Sequence, residues 1–194
     1  GYIGWINKTA FARMDKAGLQ KWKNSNLQQV TALNSFVYEK PNEKSEHLAD
    51  LVLNASMIKI AKKGNWVKVQ LADGEEGWVP AKDLTSYFEK LNPEQIKIEN
   101  IIKTARSLLG IPYLWGGKST KACDCSGFTQ TTFRANGMQL PRDASQQVHL
   151  GEEVVPTEDF SNVKAGDLVF FGIGERITHV GLSLGGYEFI HQDS

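Results

Sequence analysis

Cysteine is scarce in this sequence and net charge is absent. Cys123 and Cys125 are the only cysteines among 194 residues. Residues this close rarely bridge each other, which argues against a disulfide framework. Lys plus Arg and Asp plus Glu each number 22, so formal net charge is zero. Nothing in that balance steers the chain toward nucleic acid or an anionic membrane. No apolar run approaches the roughly 18 residues a membrane span needs. The chain opens on Gly1 rather than Met, with no charged-then-apolar leader, and reads as processed or cut.

What is present is ordinary globular composition, 41% hydrophobic and 23% charged, enough for one large or two small domains. An internal echo organises the first half. Gly1-Tyr2-Ile3-Gly4-Trp5-Ile6 repeats as Gly74-Glu75-Glu76-Gly77-Trp78-Val79, which suggests two copies of one small β unit. The second copy has β-prone runs at Val30–Val37, Met57–Ala61, Trp66–Leu71 and Glu76–Val79. Turn signals at Pro41-Asn42, Lys63-Gly64-Asn65 and Asp73-Gly74 separate them. Asp73-Gly74 is a strong hairpin signal. Several short strands in so short a span fit a small β-barrel. The pattern, with its late Asp-Gly-x-x-Gly-Trp-Val, resembles a bacterial SH3-like (SH3b) domain. The resulting division is 1–12 as the tail of a truncated first SH3b domain, 13–27 as a partly helical linker, 28–90 as an SH3b domain and 91–194 as a further domain.

In that further domain Asn92-Pro93-Glu94-Gln95 has the chemistry of a helix start. Ile98, Ile101, Ile102, Ala105, Leu108 and Leu109 follow helical spacing up to Gly110. A second helix is expected from Asp124 or Cys125 to Asn136-Gly137, then strands at Leu168–Phe171, Ile177–Leu184 and Tyr187–Gln192. Helices followed by an antiparallel sheet make an α+β domain.

The chemistry centres on Asp124-Cys125-Ser126-Gly127. A free thiol has a pKa of about 8.5 and ionises more readily at a helix N-terminus and beside an imidazole. Buried structural packing is the commoner fate of a free cysteine, and Cys123, without a capping environment, is assigned that role. Zinc is disfavoured, because Cys-x-Cys is not the usual ligand spacing and no second pair exists. Of four histidines, His47 and His149 sit in polar surroundings and read as surface residues. His179 and His191 fall on adjacent strands. A direct pairing of these two sets Ser183 against Tyr187 and leaves the three-residue loop Leu184-Gly185-Gly186, whereas a two-residue Gly185-Gly186 loop puts them on opposite faces. The shared-face hypothesis therefore demands an odd loop, and an even one would sink it. On one face, His179 serves as base and acid while His191 holds its tautomer.

These residues resemble the NlpC/P60 family of bacterial cell-wall cysteine peptidases over roughly residues 96 to 194. The carrying motifs are Pro112-Tyr113-Leu114-Trp115-Gly116-Gly117, Asp124-Cys125-Ser126-Gly127-Phe128, Leu140-Pro141-Arg142-Asp143-Ala144-Ser145-Gln146, Ala165-Gly166-Asp167-Leu168 and His179-Val180-Gly181. The resemblance implies an α+β papain-like catalytic domain preceded by a small all-β barrel. It also implies a Cys125–His179–His191 triad and no cofactor or metal. The implied reaction is cleavage of the γ-D-glutamyl-diamino acid bond in peptidoglycan stem peptides, in a subgroup requiring a free N-terminal L-Ala. Asp124 and Ser126 match the positions that bind the substrate amine, Tyr113 and Trp115 match the aromatic wall, and Tyr2 matches a pocket-closing group of the first barrel. Asp124 makes electrostatic sense against an ammonium. Alternatives are an endopeptidase or amidase on intact wall, acyl transfer to a non-water acceptor, and a non-catalytic wall-binding module. The family's substrate favours the envelope, periplasmic or secreted, although recycled wall peptides also occur in the cytoplasm.

Overall fold

The computed structural model describes residues 5–8, 11–87, 93–174 and 176–193. The chain divides into two units, Gly1–Leu51 with Ala55–Tyr87, and Val52–Asn54 with Phe88–Ser194.

In the first unit, Trp5 and Ile6 are exposed and non-strand, while the rest of the Gly1–Gly4 echo lies outside the described residues. Helix α1 (Lys16–Lys23) follows, its first turn closed by Asp15, whose Oδ1 accepts from the Gly18 amide at 2.7 Å. Seven strands then form one sheet: β1 (Leu27–Val30), β2 (Asn34–Tyr38), β3 (His47–Val52), β4 (Ser56–Lys63), β5 (Trp66–Gln70), β6 (Glu76–Pro80) and β7 (Leu84–Ser86). Their order is β3-β2-β6-β5-β4-β1-β7. The single long run expected at Val30–Val37 is two strands, broken at residues 31–33. Strand β3 has no sequence counterpart among the expected runs, because its charged and small residues lack a clean alternation.

The turn signal at Lys63-Gly64-Asn65 and the hairpin signal at Asp73-Gly74 both fall between paired strands. Gly64-Asn65 closes β4 on β5 in a two-residue loop between paired Lys63 and Trp66, with Gly64 at φ 56°. Gly74, at φ 95°, turns β5 into β6. Alternation points Val67 and Val69 inward, where they join Val30, Val37, Leu51, Met57 and Val79 in an aliphatic core.

The first helix of the second unit starts later than its sequence suggests. Asn92 lies outside the described residues, and Pro93–Gln95 forms only a 3₁₀ turn. Lys97 is extended, so helix α2 runs Ile98–Ser107. It buries Ile101 and Ala105, one turn apart, and Gly110 takes its left-handed φ of 81° only after a further turn. A two-stranded ribbon, β8 (Lys118–Ser119) with β9 (Ala122–Cys123), leads straight into α3 (Cys125–Ala135). The short α4 (Ala144–Gln147) comes next. The domain closes with a three-stranded antiparallel sheet in the order β10 (Leu168–Ile173), β11 (Arg176–Gly185), β12 (Glu188–Ile190). Val180 on β11 packs in one core cluster with Cys125 and Ala144, flanked by Leu168, Phe170 and Ile177. Contact between the α3 start and strand β11 therefore positions the site.

Candidate active site

Cys125 is the first residue of α3 and is 7% exposed. Asp124 caps the helix: it is extended, and its Oδ1 accepts from the Gly127 amide at 2.7 Å. The close approach at Gly127 is internal to the protein. A Cβ there would collide with the carbonyl of Gly117, so Gly127 admits the chain's own Gly116-Gly117 turn rather than a substrate backbone.

Around Asp124 the structure builds a network that sequence reasoning missed. Arg142 donates through Nη2 to Oδ2 at 2.6 Å and through Nη1 to Oδ1 at 3.0 Å, a bidentate pair. Arg142 Nη1 also donates to Ser126 Oγ at 2.9 Å, and the Gly116 amide donates to Asp124 Oδ2 at 2.8 Å. Ser126 Oγ in turn donates to Asp124 Oδ1 at 3.3 Å. Burial raises the Asp124 pKa, but the Arg142 hydrogen bond, the Gly127 and Gly116 amides and the guanidinium charge outweigh it and hold the carboxyl below its ordinary range. Five donors therefore converge on a carboxylate with about four acceptor sites. Arg142 stands within a quoted motif, yet its partner is 18 residues away, and no local rule joins the two.

Gln147, fully buried, was also missed. Its Nε2 donates to Ser126 O at 3.2 Å and Pro141 O at 2.9 Å, and its Oε1 accepts from Thr129 Oγ1 at 2.8 Å. It fastens the first turn of α3 to the Pro141–Arg142 segment.

The histidines meet, though in a different register from the expected one. Leu182 pairs with Ile190 and Ser183 with Phe189, and a bulge follows before Gly185 pairs with Glu188. The tip is the two-residue Gly186-Tyr187 turn, not Leu184-Gly185-Gly186. Left-handed φ values of 106° at Gly185 and 59° at Gly186 permit the tight turn, and the bulge at Leu184 restores the face that an even loop alone would reverse. His179 and His191 are thus diagonal rather than directly opposite, still within side-chain reach. His179 Nε2 and His191 Nδ1 lie 2.9 Å apart with their rings edge to face. Burial and the neighbouring His191 lower the His179 pKa, partly offset by Asp193.

Tyr113 forms a parallel bridge with Cys123. Its pKa is raised by burial, then by the charges of Cys125, Asp124 and Asp193, which keeps the phenol protonated near the thiol. Trp115, by contrast, is 83% exposed. Tyr2 lies outside the described residues. Cys123 is buried and its thiol is pushed up to about 11, mainly by burial, so it is protonated and inert at neutral pH. His47 stacks on Phe36 at 4.2 Å in the first unit, and His149 is exposed after α4. Among the described residues no group of three or more His, Cys, Asp or Glu could hold a metal ion.

Residues 110–194 match the NlpC/P60 family, and residues 31–85 match the bacterial SH3 domain. The second unit carries an NlpC/P60 domain. The NlpC/P60 segment is 42% identical over 83 residues, 42% of this chain and 42% of the relative, to the murein DD-endopeptidase MepS/murein LD-carboxypeptidase of Escherichia coli. Almost the whole chain (98%) aligns at 36% identity with 60% of the gamma-D-glutamyl-L-lysine dipeptidyl-peptidase of Bacillus subtilis. A solved NlpC/P60 family protein from Bacillus cereus superposes with a TM-score of 0.76 at 27% identity, covering 91% of this chain and 57% of that one. The chain thus spans somewhat over half the length of these longer relatives. The papain-like fold with a bacterial SH3 domain ahead of it agrees with the expected class.

Proposed function

We propose that the NlpC/P60 unit is a cysteine peptidase that hydrolyses the γ-D-glutamyl-diamino acid bond of peptidoglycan stem peptides, with Cys125 as nucleophile, His179 as base and acid, and His191 as its orienting partner. The observation carrying this reading is the 2.9 Å imidazole pair on β11 and beyond β12, beside Val180, against which Cys125 packs at the head of α3. With Nε2 directed at His191, Nδ1 is the nitrogen of His179 that serves the thiol. Cys125 Sγ attacks the γ-carbonyl carbon as its proton passes to His179. The C–N bond then breaks, and His179 returns the proton to the departing amine. Water, deprotonated by His179, releases the γ-glutamyl product from the thioester. Tyr113, protonated near Cys125, offers a hydrogen bond to charge developing there. This chemistry calls on no cofactor.

The substrate assignment draws on the Bacillus subtilis relative's γ-D-glutamyl-L-lysine specificity. Asp124, Ser126, Tyr113 and Trp115 line the approach to Cys125 in this reading, with Tyr2 as an outlying contact. A free N-terminal amine directed at Asp124 must displace one of the donors already bound there, or else meet that segment's backbone. The saturated carboxylate and the murein endopeptidase relative together favour a second reading, endopeptidase action on intact wall. A peptidoglycan-derived substrate favours the bacterial envelope in both readings, although recycled wall peptides also occur in the cytoplasm. No described helix is long and apolar enough to cross a membrane.

The test compares L-Ala-γ-D-Glu-L-Lys with its N-acetylated form. Cleavage of the free peptide alone supports the dipeptidyl-peptidase reading, and equal cleavage of both supports the endopeptidase. No cleavage of either, with Cys125 inert to alkylation, overturns the peptidase assignment in favour of a binding module.

A further inference from the structure

We infer that Gln192 is a positioning residue for the histidine pair, clasping the segment that carries His191 to the chain beside the nucleophile. The inference rests on the Cys125–His179–His191 reading above.

The need for a clasp follows from the register. Strand β12 is three residues long and its ladder ends at Ile190, paired with Leu182. His191 is the first residue beyond that ladder and is exposed, so no strand hydrogen bond pins its backbone. A ring there must nevertheless hold Nδ1 at 2.9 Å from His179 Nε2. The next residue supplies an anchor: Gln192 Nε2 donates to Ile111 O at 2.7 Å, across 81 residues of sequence and in a half-buried setting.

Ile111 is a rigid place to hold. The following residues run alongside Cys123, whose amide donates to Pro112 O at 3.2 Å and whose carbonyl accepts from the Leu114 amide at 3.2 Å. Tyr113 bridges Cys123 in the same run, and the Asp124 amide donates to Gly117 O at 3.1 Å. The Gln192 bond therefore ties the histidine end of the sheet to the chain that leads into Cys125. It joins two neutral groups, so it persists across the pH range in which imidazoles titrate. A side chain that fixes geometry in this way acts on the chemical step more than on substrate binding.

The test uses the full chain with Gln192→Leu, which keeps bulk but removes the amide, and Gln192→Glu, which replaces the donor with an acceptor facing a carbonyl. Three quantities are measured: kcat and KM on L-Ala-γ-D-Glu-L-Lys, the pH profile of Cys125 alkylation by iodoacetamide, and the thermal midpoint. Both variants are expected to lose roughly 10- to 100-fold in kcat with KM changed by less than about threefold. The imidazole-linked inflection in the alkylation profile should move toward the ordinary histidine value of about 6.5. Thermal midpoints should stay within about 4 °C of the parent. Parent-like kcat and alkylation profiles overturn the inference, as does a kcat loss accounted for by unfolded protein alone. His179→Ala separates this failure from that of the underlying reading. If it leaves the alkylation profile unaltered, the Cys–His reading falls and the clasp with it. If it removes the inflection while both Gln192 variants keep it, only the clasp falls.

Discussion

The two units differ in what they bury. The barrel closes around Val30, Val37, Leu51, Met57, Val67, Val69 and Val79, aliphatic side chains that ask only for shape and for exclusion of water. Helix α3 buries Ser126, Thr129, Thr131 and Thr132 alongside Phe128 and Phe133, with Asp124 at its cap and Gln147 locked against it. Thr132 Oγ1 excepted, each of these buried polar side chains has a hydrogen-bond partner, and such partners fix position more tightly than apolar contact does. A barrel core holds a shape, whereas the polar seam under α3 holds one atom, Cys125 Sγ, in place.

The strongest way to break this contrast is at Cys125. Cys125→Ala should abolish peptide turnover while far-UV circular dichroism remains that of the parent, and residual turnover above about 1% would remove Cys125 from the nucleophile's role. Arg142→Met comes next. It strands the Asp124 carboxylate in a mostly buried site, and urea unfolding should show a loss of about 3–5 kcal/mol. A loss under about 1 kcal/mol would mean that solvent already screens the pair. In the barrel, Met57→Ala should cost about 2–5 kcal/mol by the same measurement, through lost burial and the cavity left behind. The alkylation rate of Cys125 in the folded fraction should not change. Thr129→Val is milder, about 1–3 kcal/mol, because it leaves Gln147 Oε1 without its donor. A barrel substitution that slowed alkylation more than Thr129→Val would erase the distinction.

The smallest effect is a shift in pH dependence. His179 has a lowered pKa, so its neutral, proton-accepting form persists below the ordinary histidine range and is lost only as pH falls through the depressed value. The acid limb of kcat/KM should therefore lie below about 6.5. Its appearance at or above that value would show that the burial and His191 repulsion acting on His179 are overcome in the working enzyme.

Much of this was legible residue by residue. Asp124 as cap, Cys125 as the first helical residue and Asn136-Gly137 as the stop follow from capping chemistry, which acts over four or five positions. The hairpins at Gly64-Asn65 and Asp73-Gly74 are likewise local. Local rules failed where an element depended on its neighbours. Strand β3 is held by the sheet rather than by its own pattern, and the start of α2 moved from Asn92-Pro93 to Ile98 despite a good capping signature. At Asp124 the family resemblance implied a substrate-amine ligand, and the structure adds a partner that no local rule supplied, the guanidinium of Arg142.

The histidine pair shows where the two kinds of information divide. Alternation along a strand made a shared face for His179 and His191 depend on their pairing register, and that much follows from sequence because side-chain direction has a period of two. Their diagonal placement, the bulge at Leu184 and the Gly186-Tyr187 turn were decided by tertiary structure. There Gly186 N donates to Val163 O and Gly166 N to Ser183 O, long-range bonds that no local pattern encodes. The sequence by itself singled out Cys125, His179 and His191 as the groups proposed to carry the chemistry, since caps, turns and alternation are short-range properties. Only the folded chain determined what holds those groups still, because Arg142, Gln147 and Gln192 find their partners 18, 21 and 81 residues away.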